Sequence, residues 1–200
     1  MLGDQLDPAS PALTGFDPAQ DRLLMIEAAG EAVTALAPGM RVASFGGGLG
    51  AYASARIMKA SDVLPVPAGI DGKTAAAVML KGCTAEFLAE RCAPVAPGGW
   101  ALVPAAAGGV GLILVQWLKA RGVRVIGTVG SPDKIAAASA AGAELVLLAE
   151  AEDLVERVRA ATGGTGVAVA YDGVGAATWA SSLACMARRG TLVSFGNASG

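Results

Sequence analysis

Two hundred residues, 54% hydrophobic and 16% charged, with 28 glycines and a net charge of −2, describe a globular α/β chain with a buried, near-parallel sheet. That balance leaves no basic patch or stripe for a nucleic acid, and no apolar run reaches the roughly 18 residues of a membrane span. Histidine is absent, which excludes a Ser-His-Asp triad, a histidine general base and a catalytic zinc with histidine among its ligands.

In chain order, residues 1–21 are rich in Pro, Asp, Ala and Gly without periodicity and read as an irregular leader. Asp4, Asp7 and Asp17 with no basic residue up to Pro18 make this no signal peptide, so the expected location is the cytoplasm. Residues 22–70 read as a small β domain punctuated by Gly and Pro. It holds an apolar run from Arg22 to Ile26 and a turn then strand over Ala37–Ala43. A glycine turn, Gly46–Ala53, enters a further strand, and Ser61–Ile70 is kept extended by Pro65 and Pro67. Asp71 is placed to cap a helix spanning Ala75–Arg91, expected in two pieces around Lys81-Gly82. From there the pattern alternates. Strands are expected at Trp100–Pro104, Val123–Thr128, Glu144–Leu148, Val167–Asp172 and Thr191–Phe195. Helices are expected at Gly109–Arg121, Pro132–Ala141, Glu152–Thr162 and Ala176–Arg189. Such alternation marks a doubly wound parallel sheet of Rossmann type, here over residues 71–200. Cys83, Cys92 and Cys185 form no Cys-x-x-Cys pair and read as buried apolar residues of a reducing compartment; no metal site is expected.

The first crossover carries Ala106-Ala107-Gly108-Gly109-Val110-Gly111. A G-x-G-x-x-G fingerprint falls on Ala106, Gly108 and Gly111, with its first glycine replaced by alanine. Gly108 lets the backbone approach a pyrophosphate, and Gly111 lets the helix pack on its strand. The helix start offers free N–H groups and a positive dipole end. A tight strand-to-helix turn would read the same way; the surrounding βαβ unit favours a dinucleotide. The next strand leads into Val129-Gly130-Ser131 with no acid to hold a ribose 2′-hydroxyl. Small residues leave room for a 2′-phosphate, Ser131 can donate to it, and Lys134 stands in the first turn of the next helix, where a cation opposes the dipole unless an anion is present. These features favour NADP(H) over NAD(H), against the plainer reading of Lys134 as a solvated surface lysine.

Five motifs in order resemble the zinc-independent quinone oxidoreductases, the zeta-crystallin-like branch of the medium-chain dehydrogenase/reductase superfamily. They are Val78–Ala85, the alanine-glycine loop, Val125–Ser131, Tyr171–Gly175 and Gly190–Asn197. The resemblance implies a partial GroES-like β domain at the N-terminus, five of the six strands of a Rossmann sheet, and hydride transfer from NADPH to a quinone without zinc. By motif, Thr84 would lie near the nicotinamide, Gly109 and Val110 on the pyrophosphate, and Gly130, Ser131 and Lys134 at the 2′-phosphate. Gly173 would border the cofactor, and Phe195, Gly196 and Asn197 would line its nicotinamide side. Thr84 also reads as an ordinary helix residue, and Phe195 as a strand-end core residue. A quinone is already electrophilic, so positioning suffices and no catalytic acid or base is assigned; Tyr52 reads as structural. Pro104 stands where the family usually has histidine, and Ala149 where it has a tyrosine near the adenosine. The chain also reads as short at both ends, lacking the sixth strand and the region that forms the family's homodimer. Two other readings stay open: a non-catalytic NADP(H)-binding remnant, and an enoyl or acryloyl reductase of the same superfamily.

Overall fold

The structure, a computed structural model, describes residues 12–14, 24–44 and 53–200. The chain forms two compact units, residues 1–80 and 81–200. In the first, β1 (Ala12–Thr14), β2 (Leu24–Ala28), β3 (Arg41–Ala43), β4 (Ala55–Ile57) and β5 (Leu64–Pro65) make an antiparallel sheet in the order β4-β1-β2-β3-β5. Ile26, Leu36, Val42, Met58 and Val63 close its core. Ser61–Ile70 is only partly extended: a 3₁₀ turn at Ala60–Asp62 precedes β5, because Pro65 and Pro67 constrain only their own neighbourhood. The glycine turn at 46–50 and Tyr52 lie outside the described residues.

Helix α1 (Gly72–Glu86) starts where the Asp71 carboxylate accepts from the N–H of Thr74 at 2.9 Å and from its hydroxyl at 2.7 Å, an N-cap. The expected break at Lys81-Gly82 does not occur. A single mid-helix glycine costs only about 1 kcal/mol, and burial of Ala85 and Leu88 in the core offsets it. The irregularity comes later. Phe87–Cys92 widens into a π-turn, the Ala93 N–H reaches back five residues to the Leu88 carbonyl, and Pro94 prevents continuation.

The second unit is built on β6 (Trp100–Val103), β7 (Arg124–Val129), β8 (Leu145–Leu148), β9 (Val167–Asp172) and β10 (Met186–Ser194). All pair in parallel, in the order β10-β9-β6-β7-β8. Numbered from β6, this is the 3-2-1-4-5 arrangement of a Rossmann sheet. Helices α2 (Gly109–Ala120), α3 (Ile135–Ala141), α4 (Leu154–Ala161) and α5 (Ala176–Ala184) complete the crossovers. Strand residues alternate between two apolar layers. Val103, Val125 and Val129 join Leu114, Val115 and Leu118 of α2, while Leu102, Ile126 and Leu147 join Leu154 and Val158 of α4. Both faces are therefore covered, which is why these strands read as nearly continuous apolar runs.

The last helix is shorter than its sequence pattern. Ala176–Arg189 was expected to be helical, but α5 stops at Ala184 and residues 186–189 belong to β10. Arg159 donates to the Ala184 and Met186 carbonyls at 3.1 Å each, satisfying acceptors at the helix end. Met186 pairs with Val167, and Arg189 takes φ +65° where the register shifts before Thr191. Pairing across the sheet overrides the helix propensity of Met, Ala and Arg. The cysteines also differ from expectation: Cys185 is buried, but Cys83 in α1 and Cys92 at the end of the π-turn are exposed.

Candidate functional site at the carboxyl edge of the parallel sheet

In a doubly wound sheet, ligands bind beyond the carboxyl ends of the strands, where the strand order reverses. Here that point lies between β6 and β9. Strand β6 leads into the loop at residues 104–108. Ala105 adopts φ +51°, a conformation that is costly for a residue with a Cβ. The turn is closed by the Gly108 N–H donating to the Ala105 carbonyl at 2.8 Å, and it is tied to β7 by the Ala106 N–H donating to Thr128 at 2.9 Å. Alanine in place of the first fingerprint glycine is accommodated directly. Ala106 is fully buried, and a methyl at Gly127 would come within 2.7 Å of its Cβ, so the glycine at 127 supplies the missing space. Gly111 behaves as the fingerprint requires: a methyl there would stand 2.8 Å from the Ala106 Cα.

Helix α2 begins at once, its first backbone bond running from the Leu112 N–H to the Gly108 carbonyl at 2.9 Å. The N–H groups of Gly109, Val110 and Gly111 have no partner among the described residues, as first-turn donors do not within the helix itself. The N-terminus of α5 differs. There the Ala176 N–H donates to Gly200 O at 2.8 Å and the Ala177 N–H to Ser199 Oγ at 3.0 Å, so residues 199 and 200 fill it. Of these two helix starts, the one after the glycine loop is open to an anion.

Beside it, a pocket of about 110 Å³ is lined by Ala105, Ala107, Gly108, Val129, Gly130 and Lys134. The fold thus brings together Gly108, Gly130 and Lys134. A methyl at Gly130 would meet nothing within 4 Å, so this glycine keeps open space at the strand end. Lys134 belongs to a 3₁₀ turn, Pro132–Lys134, that precedes α3, and not to the helix proper. Ser131 precedes that turn, and the Asp133 carboxylate is held below the ordinary carboxylate range, first by the nearby Ser131 hydroxyl and last by the Lys134 charge. Asp133 was missed from sequence. Its signal was an acid two residues beyond the serine, outside the strand end that the fingerprint specifies.

The other expected residues form a second group at the ends of β9 and β10. A methyl at Gly173 would press into the Phe195 ring at 2.7 Å, and one at Gly196 would lie 2.7 Å from the Gly173 carbonyl. Asn197 packs against Gly175, and its carbonyl accepts from Gly200 at 2.9 Å. Behind this group Asp172 is fully buried and accepts from the N–H groups of Val174 and Gly175 and the hydroxyls of Thr178 and Ser182, all within 3.0 Å. Burial pushes its carboxyl up, but these four donors outweigh burial and hold it below the ordinary range. Thr84 is half-buried on α1, and Val110 packs on the main core. No cluster of three metal-ligating side chains occurs among the described residues, and no helix there is long and apolar enough to cross a membrane.

Known proteins share this arrangement. The zinc-binding dehydrogenase family model matches residues 109–200, within the parallel-sheet unit. The chain is 46% identical over 175 residues to a quinone oxidoreductase of Pseudomonas aeruginosa, covering 88% of this chain and 54% of that protein. It is 45% identical over 176 residues to quinone oxidoreductase 1 of Escherichia coli, with the same coverage of each. The crystal structure of an Escherichia coli quinone oxidoreductase complexed with NADPH superimposes with a TM-score of 0.88 at 36% identity, over 100% of this chain and 68% of that one. The chain spans about half the length of the curated relatives it matches. With that likeness running through both the sequence and the strand order, the chain belongs to the quinone oxidoreductase family, the zinc-independent branch of the medium-chain dehydrogenase/reductase superfamily.

Proposed function

We propose that this chain binds NADP(H) along the carboxyl edge of its parallel sheet and serves an NADPH:quinone oxidoreductase that works without zinc. The observation that carries the reading is the pocket where Gly108, Gly130 and Lys134 meet, beyond a strand end, Val129, Gly130 and Ser131, with no acid among them, the nearby Asp133 not lining the pocket. The open N–H groups of α2 suit a pyrophosphate, and Lys134 with Ser131 suits a 2′-phosphate. Gly173, Phe195, Gly196, Asn197 and Thr84 take the nicotinamide side. When bound, NADPH supplies a hydride, which with one proton from water converts a quinone into its quinol. The chain's own part is to hold two rings in register and to narrow the space around them. The setting in this reading is a reducing cytoplasm, supported by three free thiols. A homodimer of the family type is supported by β10, which pairs only with β9 among the described residues.

The test is NADPH and NADH titration by nicotinamide fluorescence, alongside NADPH oxidation with 1,4-benzoquinone. Tighter binding of NADPH and quinone-dependent oxidation are expected. Binding without turnover would leave the chain as an NADP(H)-binding module, and preference for an enoyl or acryloyl substrate would move it to the neighbouring reductases of the superfamily.

A further inference from the structure

Lys81 lies across the first turn of α2. Helix α1 runs unbroken through residue 81 and lays the lysine stem over Gly109. A methyl group at 109 would stand 2.6 Å from Lys81 Cδ, and Nζ lies 3.5 Å from the same point. Lys81 is exposed, and no carboxylate among the described residues forms an ion pair with it. Its ammonium therefore stands beside the unpartnered N–H groups of Gly109 and Val110 and the positive end of the helix. Two positive features at one place repel each other unless an anion lies between them. A lysine with nothing to bind keeps its rotamer freedom in water. This one crosses a position that only glycine leaves clear.

We infer that Lys81 is a cofactor-binding residue whose ammonium neutralises the pyrophosphate seated on the first turn of α2, and that residue 109 is glycine so that the lysine stem can cross. The inference rests on the dinucleotide reading above and adds a division of labour to it. Lys134 faces the 2′-phosphate, which NADPH alone carries. Lys81 faces the pyrophosphate, which NADPH and NADH share.

That division sets the experiment: NADPH and NADH titrations of the wild-type chain, Lys81→Ala, Lys81→Arg, Gly109→Ala and Lys134→Ala, with thermal melts of each. Lys81→Ala is expected to weaken both dinucleotides by the same factor, about tenfold, the low end for a hydrogen bond to a charged group. It should also flatten the salt dependence of both affinities and leave the melting temperature unchanged. Lys81→Arg is expected to restore most of the loss, because it keeps the charge. Gly109→Ala meets only a flexible side chain, so it should fold normally and weaken both dinucleotides by displacing Lys81. Unchanged affinities in Lys81→Ala, or a loss confined to NADPH, would overturn the inference while leaving the dinucleotide site standing. A wild-type chain that binds neither dinucleotide would remove the site itself.

Discussion

A methyl group at residue 111 would stand 2.8 Å from the Cα of Ala106, with backbone on the far side, so nothing there can swing away. Gly111→Ala is therefore expected to destabilise the chain by about 1–3 kcal/mol, read as a lower urea midpoint. Gly130→Ala meets open space and should leave the midpoint unchanged. Lys134→Ala is expected to weaken NADPH about tenfold and spare NADH, the low end for a charged hydrogen bond because the side chain is exposed; fluorescence titration reads it, and equal losses for both dinucleotides would contradict it. The positions of Gly108, Gly111 and Lys134 around the loop were legible in the sequence because spacing within one βαβ unit sets them. The pairing of Ala106 with Gly127 was not. The two positions are 21 residues apart, and only the sheet makes one methyl group the reason for the other's absence.

Two elements are joined by Tyr171, whose hydroxyl donates to the Ala93 carbonyl at 2.5 Å, linking β9 to the end of the π-turn. Burial first, then the charges of Cys92 and Glu90, push its pKa up to about 12. Tyr171→Phe leaves that carbonyl without its buried donor and is expected to cost about 1–3 kcal/mol, measured by chemical denaturation. Strand β9 is coupled to α5 by Asp172, which holds the turn from Gly173 to Gly175 and reaches two hydroxyls of the helix. Its carboxyl sits below the ordinary range when folded, so its stabilisation is present above the ordinary carboxylate pKa. It is lost as pH falls through that value towards the folded one. Melts of wild type and Asp172→Asn across that acidic window should differ most near neutrality and converge as pH falls; a constant gap would count against this role. Asp172 was in the motif read from sequence, but its neighbours Thr178 and Ser182 were not. They lie six and ten residues on, and only the helix turns them to one carboxylate. The same limit hid the strand in residues 186–189, where local helix propensity lost to pairing with Val167.

For the whole molecule, a ligand that binds only the folded state raises its stability by mass action. NADPH at a hundredfold excess over its dissociation constant is expected to add about 2.7 kcal/mol. NADH at the same concentration should add less, both read as shifts in melting temperature. What the sequence determined by itself was the alternation of strand and helix, the parallel sheet and the glycine loop, because periodicity and turn chemistry are local. The tertiary structure alone decided which helix start stays open. Residues 199–200 fill the N-terminus of α5, while Lys81, 28 positions before Gly109, is laid beside that of α2. The reason is distance along the chain: a donor's partner is chosen by packing, and packing joins residues that no local pattern relates.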